Sequence, residues 1–309
     1  MHGADMERVI FDTDIGGDPD DALALIYLLR EPRCELLGVT TVSGDPSLKA
    51  EIASALCWSL GRKDVPVFAG GPTAPRQSTH CAWRDELAKW PHCGQPSDVS
   101  AIDFMRRVIH AHPGEVTLLS TAPFTNVAAL FASAPEAPSL LKRLVVMGGH
   151  FGGECEYNAF SDIAAAKAVF EGGGLSPPPE LVAFGADATT SLSMSPDEGR
   201  RFMAQSPDFA FVRGWHAERW YERIGRLYFH DPIAAVSLFH PEIAEYGMSA
   251  VCVDENDKAR TSRVAASGQL PWLWRIAGAV DYGMFLERYC AVLGTRQTAC
   301  ESQTYTKAP

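Results

Sequence analysis

The sequence predicts an α/β protein: a single-domain, open, mostly parallel sheet with helices on both faces. Three observations carry that expectation. Short apolar, β-branched runs alternate with stretches of helical spacing along most of the chain, the pattern of strands joined by crossover helices. No Gly/Ser linker, long charge run or internal repeat divides the 309 residues, so one domain over 1–309 is expected. Hydrophobic residues make up 46% and charged residues 21%, a globular composition with material for a large core.

The elements follow in order. Arg8 to Asp12 reads as a short buried strand. Asp20 to Arg30 reads as a helix, its acidic first turn suited to the helix dipole. Cys34 to Val42 is a second apolar, β-branched run, Leu48 to Leu60 has helical spacing, and Val65 to Phe68 is a strand. Residues 98 to 112 predict a helix, Val116 to Thr121 a strand, Thr125 to Ala132 a helix and Leu144 to Met147 a strand. Ile163 to Phe170 reads as helix and Leu181 to Phe184 as strand. Beyond Ser191 the pattern blurs: 195 to 240 reads as mainly helical, Val251 to Val264 and Ala277 to Val280 as strands, and Tyr282 to Leu293 as the last helix. Residues 70 to 97 and 148 to 158 are rich in Gly, Pro, His, Cys and Trp, and are expected as loops bordering a ligand crevice.

Charge and cysteine usage narrow the class. Asp and Glu number 38 against 27 Lys and Arg, for a net charge of -11. A nucleic-acid binder usually presents a basic face, so no nucleic-acid partner is expected. The longest apolar run, Ala22 to Leu29, is too short to span a bilayer, so no membrane partner is expected either. The N-terminal residues lack a basic start and an apolar stretch, and the eight cysteines show no CxxC spacing. Free thiols in a reducing cytoplasm are the expectation.

The informative stretch runs from Val9 to Leu25. Asp12, Asp14, Asp18, Asp20 and Asp21 fall within ten residues, between a buried strand and a helix. Crowded carboxylates raise one another's pKa and cost free energy unless something neutralises them. A hard divalent cation with oxygen ligands would do so, and Gly16 and Gly17 allow the tight turn that convergence needs. A solvated acidic loop capped by Asp20 is the bland reading. An EF-hand fails, because its twelfth position would be Leu23, not a bidentate Glu, and a strand precedes the loop. A magnesium-dependent aspartyl-phosphate phosphatase of the haloacid-dehalogenase type also begins with a strand and Asp-x-Asp. It expects Thr or Val two residues after the second Asp, where Gly16 stands.

Six ordered motifs carry a more specific resemblance. They are Asp12-Thr13-Asp14 with Gly and Asp20-Asp21-Ala22-Leu23-Ala24-Leu25; Leu36 to Asp45; Ser120-Thr121-Ala122-Pro123-Phe124-Thr125-Asn126-Val127-Ala128; Val145-Val146-Met147-Gly148-Gly149; Glu156-Tyr157-Asn158; and Phe229-His230-Asp231-Pro232. Together, over roughly residues 8 to 290, the chain resembles the inosine–uridine-type nucleoside hydrolases, in the variant subgroup reading Asp-Thr-Asp-Ile-Gly. The resemblance implies that family's sheet and a calcium ion at its carboxyl edge. It implies hydrolysis of a ribonucleoside, or close N-riboside, to free base and ribose. A degenerate relative that binds a riboside or calcium without turnover is the non-catalytic alternative.

The resemblance also assigns roles. Asp14 would bind calcium and take the proton of the attacking water. Asp21, the main-chain carbonyl of Thr121 and Asp231 would complete the ligand set, with Asp231 also beside the sugar. Asp20, Glu156 and Asn158 would bind ribose hydroxyls, and Asp12 would brace the loop. His230 would lie beside the base and protonate it, although a helix N-terminus disfavours the imidazolium. Asp45 stands where many relatives have Asn and is expected at the sugar. The loop between Met147 and Glu156 is shorter than in better-known relatives, and Thr79 to Trp83 replaces their His-Gly loop. Of the aromatics, Trp83 and Tyr221 are the leading base contacts, ahead of Trp215, Trp220 and Tyr228. Trp272 and Trp274 are expected to cover a surface or subunit contact. The partners implied are a small nucleoside substrate and further copies of the chain, in a dimer or tetramer.

Overall fold

Strand β1 (Glu7–Thr13) sends Val9 and Phe11 into one apolar cluster and Ile10 into another, because successive side chains of a strand face opposite ways. Those clusters are the two faces of one sheet. In the computed structural model, which describes residues 6–71, 86–93, 99–172, 178–213, 217–265 and 272–295, helices cover both. On the Val9 face lie α1 (Asp20–Arg30) and α2 (Pro46–Ser59). On the Ile10 face lie α3 (Ala101–Ala111) and α4 (Thr125–Ser133).

The remaining parallel strands are β2 (Cys34–Thr41), β3 (Val67–Ala69), β4 (Val116–Ser120), β5 (Arg143–Met147) and β6 (Glu180–Phe184). The short α5 (Tyr157–Ser161) and then α6 (Ile163–Glu171) lie between the last two. Beyond β6 come the short β7 (Ser193–Met194), α7 (Pro196–Met203), α8 (Ala217–Ile224), β8 (Leu227–Tyr228) and α9 (His230–Ser237). Strands β9 (Ala244–Asp254), β10 (Arg260–Val264) and β11 (Trp274–Val280), with α10 (Tyr282–Leu293), complete the fold. The sheet order is β10-β9-β11-β6-β5-β4-β1-β2-β3, and only β9 runs against the rest. Among the described residues, no helix is long and apolar enough to cross a membrane.

From β3 to β6 the order is that of a doubly wound sheet, with its reversal beside β1. The chain leaves β1 toward β2 and later returns to β4 on the other side. The carboxyl ends of β1 and β4 therefore open a crevice that no crossover covers. Asp12 pairs in register with Thr40 of β2 and Ser120 of β4 there. Both hydroxyls donate to its buried carboxylate, at 2.7 and 3.1 Å, and Asn126 Nδ2 adds a third bond at 2.8 Å. Asn126 Nδ2 also donates to the Thr41 carbonyl, and its Oδ1 accepts from Gly71 N–H. A Cβ on Gly70 would lie 2.2 Å from that Oδ1, so only glycine lets the chain pass.

Three expectations are corrected. Val251 to Val264 is not one strand but an antiparallel hairpin, reversed at Lys258 and Ala259, whose φ angles are 52° and 54°. The polar run Glu255-Asn256-Asp257-Lys258 between the arms was the available signal for the turn. The stretch 195–240 holds helices, but β8 interrupts them and pairs with β7. Trp272 and Trp274 are core residues, 2% and 0% exposed; Trp274 Nε1 donates to the Phe170 carbonyl at 2.9 Å.

Asn126→Ala should lower the unfolding free energy by roughly 2–3 kcal/mol, because a buried carboxylate loses a donor. Urea denaturation checks this, and a loss below about 0.5 kcal/mol would show that Asp12 does not depend on the amide.

Candidate active site

The residues after β1 fold back under the constraint of Asp21. Its Oδ1 accepts from the Thr13 hydroxyl, from Asp14 N–H at 3.2 Å and from the Thr121 hydroxyl at 3.4 Å. Gly16, at φ 110°, turns the loop into α1. Asp20 and Asp21 occupy the first turn of α1, and Asp231 that of α9. Two helix N-termini thus meet at one point, and each favours an anion. Asp20 joins them, accepting from Asp21 N–H at 3.1 Å and from Asp231 N–H at 3.4 Å.

Carboxylate oxygens of Asp20, Asp21 and Asp231 lie within 4.8 Å of one another, and all three residues are buried. Burial first, then mutual repulsion, pushes all three carboxyls well above the usual range. Asp18 is raised to about 8, chiefly by burial. Three donors converge on Asp21 Oδ1, and the Asp231 carboxylate accepts from no described residue. This is an oxygen donor set without its counter-charge, and it fits a hard divalent cation.

Asp14 lines the same cavity, and one cation reaches it from the opposite side. Lys49 of α2 is 4% exposed, with Nζ 3.7 Å from Asp14 Oδ2. The ammonium also donates to the carbonyls of Asp14 and Ile15. Burial raises the Asp14 carboxyl and Lys49 opposes that rise. Sequence reasoning missed Lys49. Its one signal was a lysine inside an apolar helix segment, where a buried ammonium needs a partner.

Glu156 caps α5, with its carboxylate accepting from the N–H groups of Gly149, Asn158 and Ala159 at 2.7, 2.8 and 3.0 Å. It therefore anchors the loop as well as lining the cavity. Asn158 Nδ2 donates to the carbonyls of Thr121 and Met147 at 3.0 and 3.1 Å, which leaves Oδ1 as an acceptor. Thr121, expected to offer its carbonyl to a cation, lines the same cavity as Asp21. Asp12 is not a cavity residue: three donors hold it below the floor, which leaves a phosphoryl-accepting nucleophile no access.

The cavity has a volume of about 420 Å³. Asp20, Asp21 and Asp231 meet at its acidic floor, and the lining also includes His230 with Trp220 and Arg223 of α8. Burial lowers the imidazole of His230 to about 4. Its Nδ1 is 2.7 Å from the Thr189 hydroxyl, and its ring stacks on Tyr228 at 5.1 Å.

Two expected positions fall elsewhere. Asp45 is exposed and caps α2, accepting from Leu48 N–H at 3.0 Å, so it does not line the cavity. Tyr221 is 6% exposed and packs on Gly199 of α7; the neighbouring Trp220 faces the cavity instead. One residue rotates a helix by about 100°, and Ala217 with Tyr221 marks the core side. That pair was the available signal for Trp220 and Arg223. Trp83 and Trp215 lie outside the described residues.

The family profile described as inosine-uridine preferring nucleoside hydrolase matches residues 9–287. The chain is 29% identical over 272 residues to uridine nucleosidase 1 of Arabidopsis thaliana, covering 80% of this chain and 78% of the relative. It is 30% identical over 256 residues to the non-specific ribonucleoside hydrolase RihC of Escherichia coli, covering 76% and 80%. A solved plant nucleoside hydrolase superposes with a TM-score of 0.79 at 23% identity, covering 93% of this chain and 98% of that one.

A saturating divalent cation should stabilise the protein by about 2.7 kcal/mol at a hundredfold excess over its Kd. Asp21→Asn or Asp231→Asn should remove most of that gain in thermal unfolding. Equal gains in all three proteins would place the cation elsewhere.

Proposed function

We infer the chemistry of this cavity from one premise: the chain belongs to the inosine-uridine preferring nucleoside hydrolases. It hydrolyses the N-glycosidic bond of ribonucleosides. The observation that carries the detailed reading is the meeting of Asp20, Asp21 and Asp231 at two helix N-termini, in a cavity that Asp14 and Thr121 also line.

The cation is calcium, held by Asp14, Asp21, Asp231 and the Thr121 carbonyl; when bound it supplies Lewis acidity and a template for the sugar hydroxyls. Asp14 takes the proton of the attacking water, and Lys49 holds its loop in place. Asp20 and Glu156 accept ribose hydroxyls, and Asn158 offers Oδ1 for another. The same carboxylates favour the positive charge that develops on the ribosyl ring as the bond breaks. Trp220, rather than Tyr221, contacts the base. Asp45, at a helix cap, is withdrawn from the sugar-binding set.

Purified protein with calcium should release reducing sugar from at least one member of a purine and pyrimidine riboside panel. Asp14→Ala should lower kcat by on the order of 10³-fold, through loss of the base. Binding of ribosides without turnover would support the non-catalytic alternative, and an Asp14→Ala protein within about tenfold of wild type would remove Asp14 as base. Chelation should abolish turnover and calcium restore it; fuller restoration by another metal would overturn the calcium assignment.

A further inference from the structure

We propose that Arg223 is the leaving-group residue of this enzyme, its guanidinium compensating the charge that the base acquires as the glycosidic bond breaks. The proposal rests on the N-glycosidase reading above.

Bond cleavage separates charge. The ribosyl ring becomes positive and the base negative. The cavity lining contains six carboxylates, which favour the first and oppose the second. The departing base therefore needs a positive or strongly donating group within reach. Among the described cavity residues, Arg223 is the one permanent cation.

Three other donors of the lining have partners. Trp220 Nε1 donates to the Arg226 carbonyl at 2.8 Å. The Thr190 hydroxyl donates to the Ala186 carbonyl at 2.7 Å. His230 shares Nδ1 with the Thr189 hydroxyl, which leaves one ring nitrogen for a ligand. Arg223 makes no ion pair with a described residue; its guanidinium lies 5.8 Å from the Trp220 ring centroid. Trp220 and Arg223, three apart on α8, thus present one aromatic face and one uncommitted fork of N–H donors to the same space.

The step balances. The water oxygen bonds to the anomeric carbon, and its proton passes to Asp14. The carbon–nitrogen bond breaks with its electron pair staying on the base, which leaves as an anion beside Arg223. The base then takes a proton from solvent, Asp14 returns one, and the net change is addition of one water.

The test compares uridine or inosine with p-nitrophenyl riboside, whose phenolate leaves unaided. For the nucleoside, Arg223→Gln should lower kcat by about 10²-fold with KM within about threefold. On p-nitrophenyl riboside the loss should be at least about tenfold smaller, which also shows that the variant is folded. Arg223→Lys, which keeps the charge, should recover much of the nucleoside activity. Equal losses on both substrates, or a change confined to KM, would overturn the proposal. So would the leaving-group-dependent pattern in His230→Ala and not in Arg223→Gln. A wild-type protein that releases sugar from neither substrate would instead overturn the N-glycosidase reading itself.

Discussion

Repulsion among carboxylates is the constraint around which the carboxyl edge of the sheet is built. Asp14, Asp18, Asp20, Asp21 and Asp231 line one cavity, and burial raises the carboxyl of each above its ordinary range. Such a group stays together only if the scaffold forces it. Two helix dipoles point at it, and the Lys49 ammonium holds the loop from beneath. Deeper still, Asp12 ties β1 to β2, β4 and α4 through three donors. Without that knot the ends of β1 and β4 could drift, and the crowd above them would spread into solvent.

The same repulsion divides the cavity by function. An acidic floor suits hydroxyls, a cation and a sugar becoming positive. It suits a departing base poorly, and the lining also offers an indole, an imidazole and a guanidinium. Preorganisation is visible in the details. The Asn158 amide nitrogen is locked by two carbonyls, which keeps its oxygen as an acceptor in the cavity lining. Glu156 is locked by three N–H groups. Groups held this way need not reorganise when charge develops.

Much of this was legible in the sequence. Strand–helix alternation predicted the parallel sheet, because period and apolar content are local properties of each element. The acidic run after Phe11 marked the site, because a strand-end turn in such a sheet borders the crevice. What failed were statements that depend on a neighbour's position. Asp45 has the chemistry of a sugar ligand, yet the turn at Ser43 and Gly44 leaves it as a helix cap. Tyr221 and Trp220 are chemically alike, and only the packing of α8 on α7 tells them apart. Trp272 and Trp274 have the chemistry of a surface or subunit contact, but Gly172 and Phe170 receive them into the core.

The sequence by itself determined the fold class, the place of the acidic cluster after β1 and the residues able to serve as oxygen ligands. Those follow from periodicity, from turn chemistry and from the number of carboxylates in a short span. Tertiary structure alone decided which of them meet. Asp231 lies 210 residues beyond Asp21, and only the packing of α9 against α1 brings the two within ligand distance. It also decided that a lysine from α2 supports Asp14 and that an arginine from α8 lines the same cavity as the carboxylates. Charges act through space rather than along the chain, so their partners are known only once the chain has folded.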